Sequence, residues 1–146
     1  MSQENVKMLF KTPVTVERVL APGWVGRLAY GVTALLAPSS TIRALLGRDH
    51  PVAQDTAYIN RVLGVRDIVL AGATVVACQK KRGVGAVVAA NLVSETGDLA
   101  ALLLEIRDRG GVDATMRVAI GMNVTGFGTY LTAAFLLNRG PGCGSR

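Results

Sequence analysis

The stretch VAIGMNVTGFGTYLTAAFLL, from Val118 to Leu137, runs for 20 residues without a charged side chain. At 1.5 Å per residue such a helix reaches about 30 Å, the thickness of a bilayer hydrocarbon core. A helix on the surface of a soluble domain keeps a polar face opposite its apolar stripe. Here Asn123 and a few threonines are the only polarity available. The segment reads as a membrane-spanning helix, and it decides how the rest of the chain is read.

Working outward, three further apolar segments precede it, over about 19–37, 58–79 and 83–104. Their uncharged runs are shorter: Leu28–Ile42, Ile68–Gln79 and Gly83–Ser94. Short runs of this kind also occur as buried helices of soluble proteins, so a soluble four-helix bundle is the competing architecture. The third segment, like the fourth, lacks the polar face that a soluble bundle requires. The expected fold is therefore all-α: four transmembrane helices in an antiparallel bundle, forming a single domain over residues 1–146. Pro22 and Gly23 are placed in the first turn of the first helix, and Pro38 ends it.

The connections agree with four spans. Loop one, about 38–57, contains Ser39-Ser40-Thr41-Ile42-Arg43-Ala44-Leu45-Leu46-Gly47. A serine N-cap and a closing glycine predict a short helix, with Ile42, Leu45 and Leu46 lying in the membrane interface. Lys80-Lys81-Arg82-Gly83 is a tight second loop, and Arg107-Asp108-Arg109-Gly110-Gly111 a turn. The ends, about 1–12 and 139–146, read as flexible.

The chain carries a formal charge of +6 and a pI of about 9.9. In a soluble domain that would point to nucleic acid. The basic residues are instead dispersed over helix flanks without interleaved aromatics, so no nucleic-acid partner is expected. Lys7, Lys11, Arg18, Lys80, Lys81, Arg82, Arg139 and Arg146 fall on one side of the spans. Arg43, Arg48, Arg107, Arg109 and Arg117 fall on the other. This bias predicts that both termini are cytoplasmic. No signal peptide is recognisable at the start, so the first span is expected to direct insertion. Cys78 and Cys143 are isolated and make neither a disulfide framework nor a zinc site. His50 is the sole histidine, and with no Gly-x-Ser-x-Gly elbow it reads as a solvated loop residue. Gly121-x-x-x-x-Gly126-x-Gly128 lacks the Lys-Ser/Thr of a phosphate loop. No cofactor or metal is implied.

Six ionisable residues remain inside the spans: Arg27, Arg61, Arg66, Asp67, Glu95 and Asp98. On insertion scales a charge at the centre of a spanning helix costs about 2.5–3.5 kcal/mol, so it has a partner or a task. Arg66 and Asp67 are placed about 12–14 Å below the outer end of segment two, and Glu95 and Asp98 about 9–14 Å from the outer end of segment three. This common depth predicts that Arg66 pairs with Glu95 or Asp98. Asn91, Ser94, Glu95 and Asp98 share one helical stripe, as do Asn60, Gly64, Asp67, Ala71 and Thr74. The expected picture is a polar seam between the second and third spans, built from Arg61, Arg66, Asp67, Asn91, Glu95 and Asp98 and opening toward the outer face. Arg61, nearer the interface, can snorkel outward. Arg27 stands alone and is expected to snorkel to lipid phosphates. Glu95 and Asp98, one turn apart, could share a proton if desolvated. The pairs Ala86/Ala90, Gly121/Thr125 and Gly128/Thr132 have the spacing that permits close helix packing.

Gly26-Arg27-Leu28 with Gly31, the string Arg61-x-Leu63-Gly64-x-Arg66-Asp67, and an acidic residue in the third span (Asp98) carry a resemblance. In these features, over about residues 20–138, the chain resembles a family of small four-helix membrane proteins frequent in actinobacteria and present in fungi. Glu95 departs from the pattern. The resemblance implies membrane topology and no established activity, so no catalytic residue carries over from it.

Three functions fit the residues. The first is a non-enzymatic membrane protein that binds a lipophilic molecule or a partner subunit, in homo-oligomeric or mixed form, through the seam. The second is a membrane-embedded acid–base enzyme, of isomerase or cyclase type, acting on a hydrophobic metabolite. In it Glu95, Asp98 or Asp67 would be the catalytic candidates and Arg66 would orient an anion. The third is proton-coupled transport by a dimer. Membrane lipid is a partner in all three.

Overall fold

The computed structural model describes residues 15–46, 52–112 and 114–139. The described residues form five helices: α1 (Val16–Leu36), α2 (Pro38–Leu46), α3 (Gln54–Lys80), α4 (Val84–Arg109) and α5 (Ala114–Arg139). Four of them, all but α2, are long and apolar enough to cross a membrane. They follow one another up and down around a ring. α1 packs on α3 and α5, and α4 packs on α3 and α5. Among the described residues no direct helix packing joins the diagonals, α1 with α4 or α3 with α5. The expected antiparallel four-helix bundle is present, with the short helix of loop one beside it.

The distribution of side chains distinguishes a membrane bundle from a soluble one. Large apolar residues are exposed along every long helix, among them Val32, Val65, Val69, Val93, Val124 and Phe135. The buried set includes Arg27, Asn60, Asp67, Thr74, Asn91 and Glu95. Burying such groups behind an apolar exterior is unfavourable in water but fits a hydrocarbon solvent. The soluble reading is set aside on this ground, and the protein is a multi-pass membrane protein.

Helix boundaries follow local chemistry. The hydroxyl of Thr15 accepts from the backbone N–H of Arg18, capping α1. The helix therefore starts before the expected span, and Pro22 lies inside it rather than in its first turn. α1 ends at Leu36 and α2 starts at Pro38, a position that suits a residue without an N–H. Pro38 thus begins a helix as well as ending one, and Ser39 is not the N-cap. Ile42 is buried, so α2 turns this side chain into the protein rather than along the interface. The α3–α4 turn closes with a 3.2 Å bond from the N–H of Arg82 to the carbonyl of Ala77. Lys81 takes φ 51° there, and Gly83 takes φ 74°, a value that favours glycine. α4 stops at Gly110, with φ 70°. Arg139, assigned to a flexible end, is the last residue of α5, with its guanidinium 4.0 Å from the centroid of the Phe135 ring. His50, Arg48, Cys143 and the expected flexible ends 1–12 and 140–146 lie outside the described residues.

The tightest contact joins α1 to α3. A Cβ added to Gly31 would lie 2.6 Å from the carbonyl oxygen of Gly64, and one added to Gly64 would lie 2.8 Å from that of Gly31. The two backbones touch through facing glycines, as small residues permit between membrane helices. The expected small-residue pairs are elsewhere: Ala86, Ala90, Gly121, Thr125 and Thr132 are exposed, and a Cβ at Gly121 or Gly128 would meet nothing. Spacing alone identified small residues on the outward faces; the packed glycines lie opposite one another on separate helices.

Candidate functional site

The close α1–α3 approach brings Arg27 into the middle of the bundle. Its side chain is 8% exposed. One guanidinium nitrogen, Nη1, donates to Asp67 Oδ1 on α3. The other, Nη2, donates to Glu95 Oε1 on α4 at 2.6 Å. Arg27 therefore spans the diagonal of the ring that no backbone packing bridges. The side chain expected to snorkel to lipid phosphates is the centre of the cluster. Its own face of α1 explains why: Leu20, Arg27, Gly31 and Ala34 are buried together, and glycine on that face removes the bulk that would hold α3 away.

Arg66 forms the second half. Its Nη1 and Nη2 donate to the two oxygens of Asp98, at 2.7 Å and 2.8 Å. Nη2 also approaches Asp67 Oδ1 at 3.3 Å. This is the bidentate geometry in which arginine binds carboxylate best. Of the two carboxylates expected for Arg66, Asp98 takes the place and Glu95 goes to Arg27. Each of the two acids has its own arginine, and no hydrogen bond joins them. Asp67 lies between the arginines and links the two halves.

The cluster sits near mid-height. Arg66 and Asp67 are about 19 Å from either end of α3 at 1.5 Å per residue. α3 begins at Gln54, a turn before the apolar segment starts, so the two residues lie further along the helix than the expected depth of about 12–14 Å.

Further polar contacts extend in both directions. Tyr30 donates to Asn60 Oδ1 at 2.8 Å, and Asn60 Nδ2 to the carbonyl of Pro38 at 3.3 Å. Toward the other end, Asn91 Nδ2 donates to Thr74 Oγ1 at 3.3 Å. Beyond Asn91, Leu20, Ala77, Val84, Val88, Tyr130 and Ala133 form an apolar cluster. On α5 the Tyr130 ring lies 5.6 Å from the Arg27 guanidinium carbon. Gly126 backs Glu95: a Cβ there would fall 2.7 Å from both carboxylate oxygens.

The predicted seam thus becomes a core shared by all four long helices. The α3 stripe is buried throughout, at Asn60, Gly64, Asp67, Ala71 and Thr74, but its N-terminal half, Asn60 to Asp67, faces α1 rather than α4. Asn91 and Glu95 are buried, and Ser94 and Asp98 lie on the shoulder of α4. Arg61 is exposed and is not brought to the cluster. The sequence reading missed Arg27, Tyr30, Gly126 and Tyr130 as members. For Arg27 a signal existed in the buried face it shares with Gly31 and Ala34. Tyr130 and Gly126 carried none, because their place depends on how α5 packs.

Among the described residues no group of His, Cys, Asp and Glu is arranged to hold a metal ion. No family model, curated protein or solved structure matches this chain. The chemistry of the site is accordingly read from its own residues.

Proposed function

We propose that the protein binds a lipophilic molecule with a polar group, or a partner membrane subunit, at the seam between α3 and α4. The observation behind this reading is the exposure of the Arg66–Asp98 pair. The two side chains are 34% and 32% exposed at mid-height of the bundle, where hydrocarbon would otherwise face them. An exposed ion pair at that depth is costly, and a polar ligand group or a second subunit covering it removes the cost. The seam is also the looser wall of the ring. α3 and α4 are joined by a tight turn, yet their backbones approach each other less closely than those of α1 and α3 do. An acid–base enzyme has less support, because Asp67 and Glu95 are buried and already bonded to Arg27.

The chain extracted in mild detergent is expected to carry a bound lipophilic molecule or a second subunit, detectable by native mass spectrometry. Asp98→Asn and Arg66→Gln should each lower its occupancy several-fold. A bare monomer from wild-type membranes, or unchanged occupancy in both variants, would sink the reading.

The distribution of Lys and Arg supports both termini in the cytoplasm. A reporter active only in the cytoplasm, fused after Arg146, is then expected to be active; an inactive fusion reverses the orientation.

A further inference from the structure

The cluster does not balance. Arginine stays charged under all ordinary conditions, so Arg27 and Arg66 contribute two positive charges. Asp67, Glu95 and Asp98 contribute three negative charges if all are ionised. An unmatched charge among low-dielectric surroundings is strongly unfavourable, because its desolvation is not repaid by a partner. A proton or another cation has to supply the difference.

We propose that the cluster is a proton-binding site, with one exchangeable proton on Glu95. The hydrogen bonds single this residue out. Asp98 receives two bonds from Arg66, and Asp67 receives one from each arginine. Glu95 receives a single bond, from Arg27 to Oε1. As a carboxylic acid it keeps that bond through its carbonyl oxygen and gains an O–H that requires an acceptor. One turn away on the same face of α4, Asn91 is 0% exposed, and its Oδ1 has no hydrogen-bond partner among the described residues. Its amide nitrogen is already committed to Thr74 and the Val87 carbonyl, so the oxygen is left to accept. Side chains four apart on a helix are neighbours. Ser94 Oγ, at the neighbouring position of α4, is also buried and without a hydrogen-bond partner among the described residues.

The charged and titratable groups around Glu95 come from every helix packed there: Arg27 on α1, Arg66 and Asp67 on α3, Asp98 on α4 and Tyr130 on α5. The part-exposed Asp98 and Arg66 border the cluster on the seam side. Toward the α3–α4 turn the apolar cluster around Val84 and Val88 closes the core. Binding and release involve only the proton, R–COO⁻ + H⁺ giving R–COOH.

Infrared difference spectroscopy of the full chain in phosphatidylcholine vesicles, in H2O and D2O, tests the proposal. A protonated carboxyl gives a C=O stretch that shifts on deuteration and that a carboxylate lacks. Wild type is expected to show one such band at pH 7, and Glu95→Gln to lose it. Gln mimics the neutral acid, so this variant should also keep a near-wild-type melting temperature. Absence of the band in wild type overturns the proposal without recourse to any variant. So does its persistence in Glu95→Gln. A sodium- or potassium-dependent melting temperature without the band assigns the balancing charge to a metal cation and also overturns it.

Discussion

Replacing Arg27 by Met should abolish most of the folded protein in membranes. The substitution leaves Asp67 and Glu95 without the guanidinium that joins them across the bundle. Removing one partner of a buried ion pair costs about 3–5 kcal/mol, against a typical total stability of about 5–15 kcal/mol. Thermal unfolding of the purified chain in detergent, together with its abundance in membranes, measures the loss. Arg27→Lys should recover only part of it, because an ammonium is a single point charge and cannot present two fork nitrogens to acids on different helices. Combining Arg27→Met with Asp67→Asn and Glu95→Gln should restore more than Lys does, since Asn replaces the unpaired Asp67 carboxylate with a neutral group of similar volume and Gln keeps Glu95 in its neutral form. An arginine snorkelling to the interface would behave differently: its loss would fall within about 0.5 kcal/mol, as for surface changes generally. That smaller result would remove Arg27 from the core.

Alanine at Gly31 or Gly64 should each separate α1 from α3. At Gly31 the new Cβ meets the Gly64 oxygen at 2.6 Å and Ile68 Cγ1 at 2.8 Å. At Gly64 it meets the Gly31 oxygen at 2.8 Å and the Ala34 Cβ at 3.0 Å. The obstructing oxygens belong to backbone, so no side-chain rotation relieves the overlap. Overpacking of this kind costs about 1–3 kcal/mol, occasionally more, and valine at either site should exceed alanine. The effect reaches the ion cluster, because Arg27 lies one turn before Gly31 and Asp67 one turn after Gly64. Gly26→Ala and Gly72→Ala serve as matched controls: a Cβ at either meets nothing within 4 Å, and alanine favours the helix by up to about 1 kcal/mol over glycine. Melting temperatures of the four alanine variants decide the matter. Equal stability of Gly31→Ala and Gly26→Ala would contradict the contact.

These two predictions rest on residues that the sequence treated unequally. Gly31 stood out only through the resemblance and Gly64 through the resemblance and the α3 stripe, while small-residue spacing directed attention to Gly121 and Gly128, which face outward. Helical period tells which residues share a face but not which faces meet. Arg27 shows the same limit. Its position two turns into an apolar helix allowed either an outward or an inward course. An interhelical distance settles that choice, and no single helix contains it. Asp98 was legible as a partner of Arg66 because both lie near the middle of consecutive antiparallel helices, where depth alone narrows the pairing.

What the sequence determined by itself was the solvent and the number of crossings. A charge-free run of bilayer length, three further apolar segments and turn signals between them leave few other architectures. It also determined the buried stripe of α3, because the 3.6-residue period places Asn60, Gly64, Asp67, Ala71 and Thr74 on one side whatever packs there. The tertiary structure decided the electrostatics. Two helices touching through glycine carry Arg27 to the centre. Asp67 is drawn toward α1, Glu95 is assigned to Arg27 rather than Arg66, and five ionisable groups gather into one network whose charges do not sum to zero when all are ionised. Pairing depends on distances among four helices, and those exist only once the helices have packed.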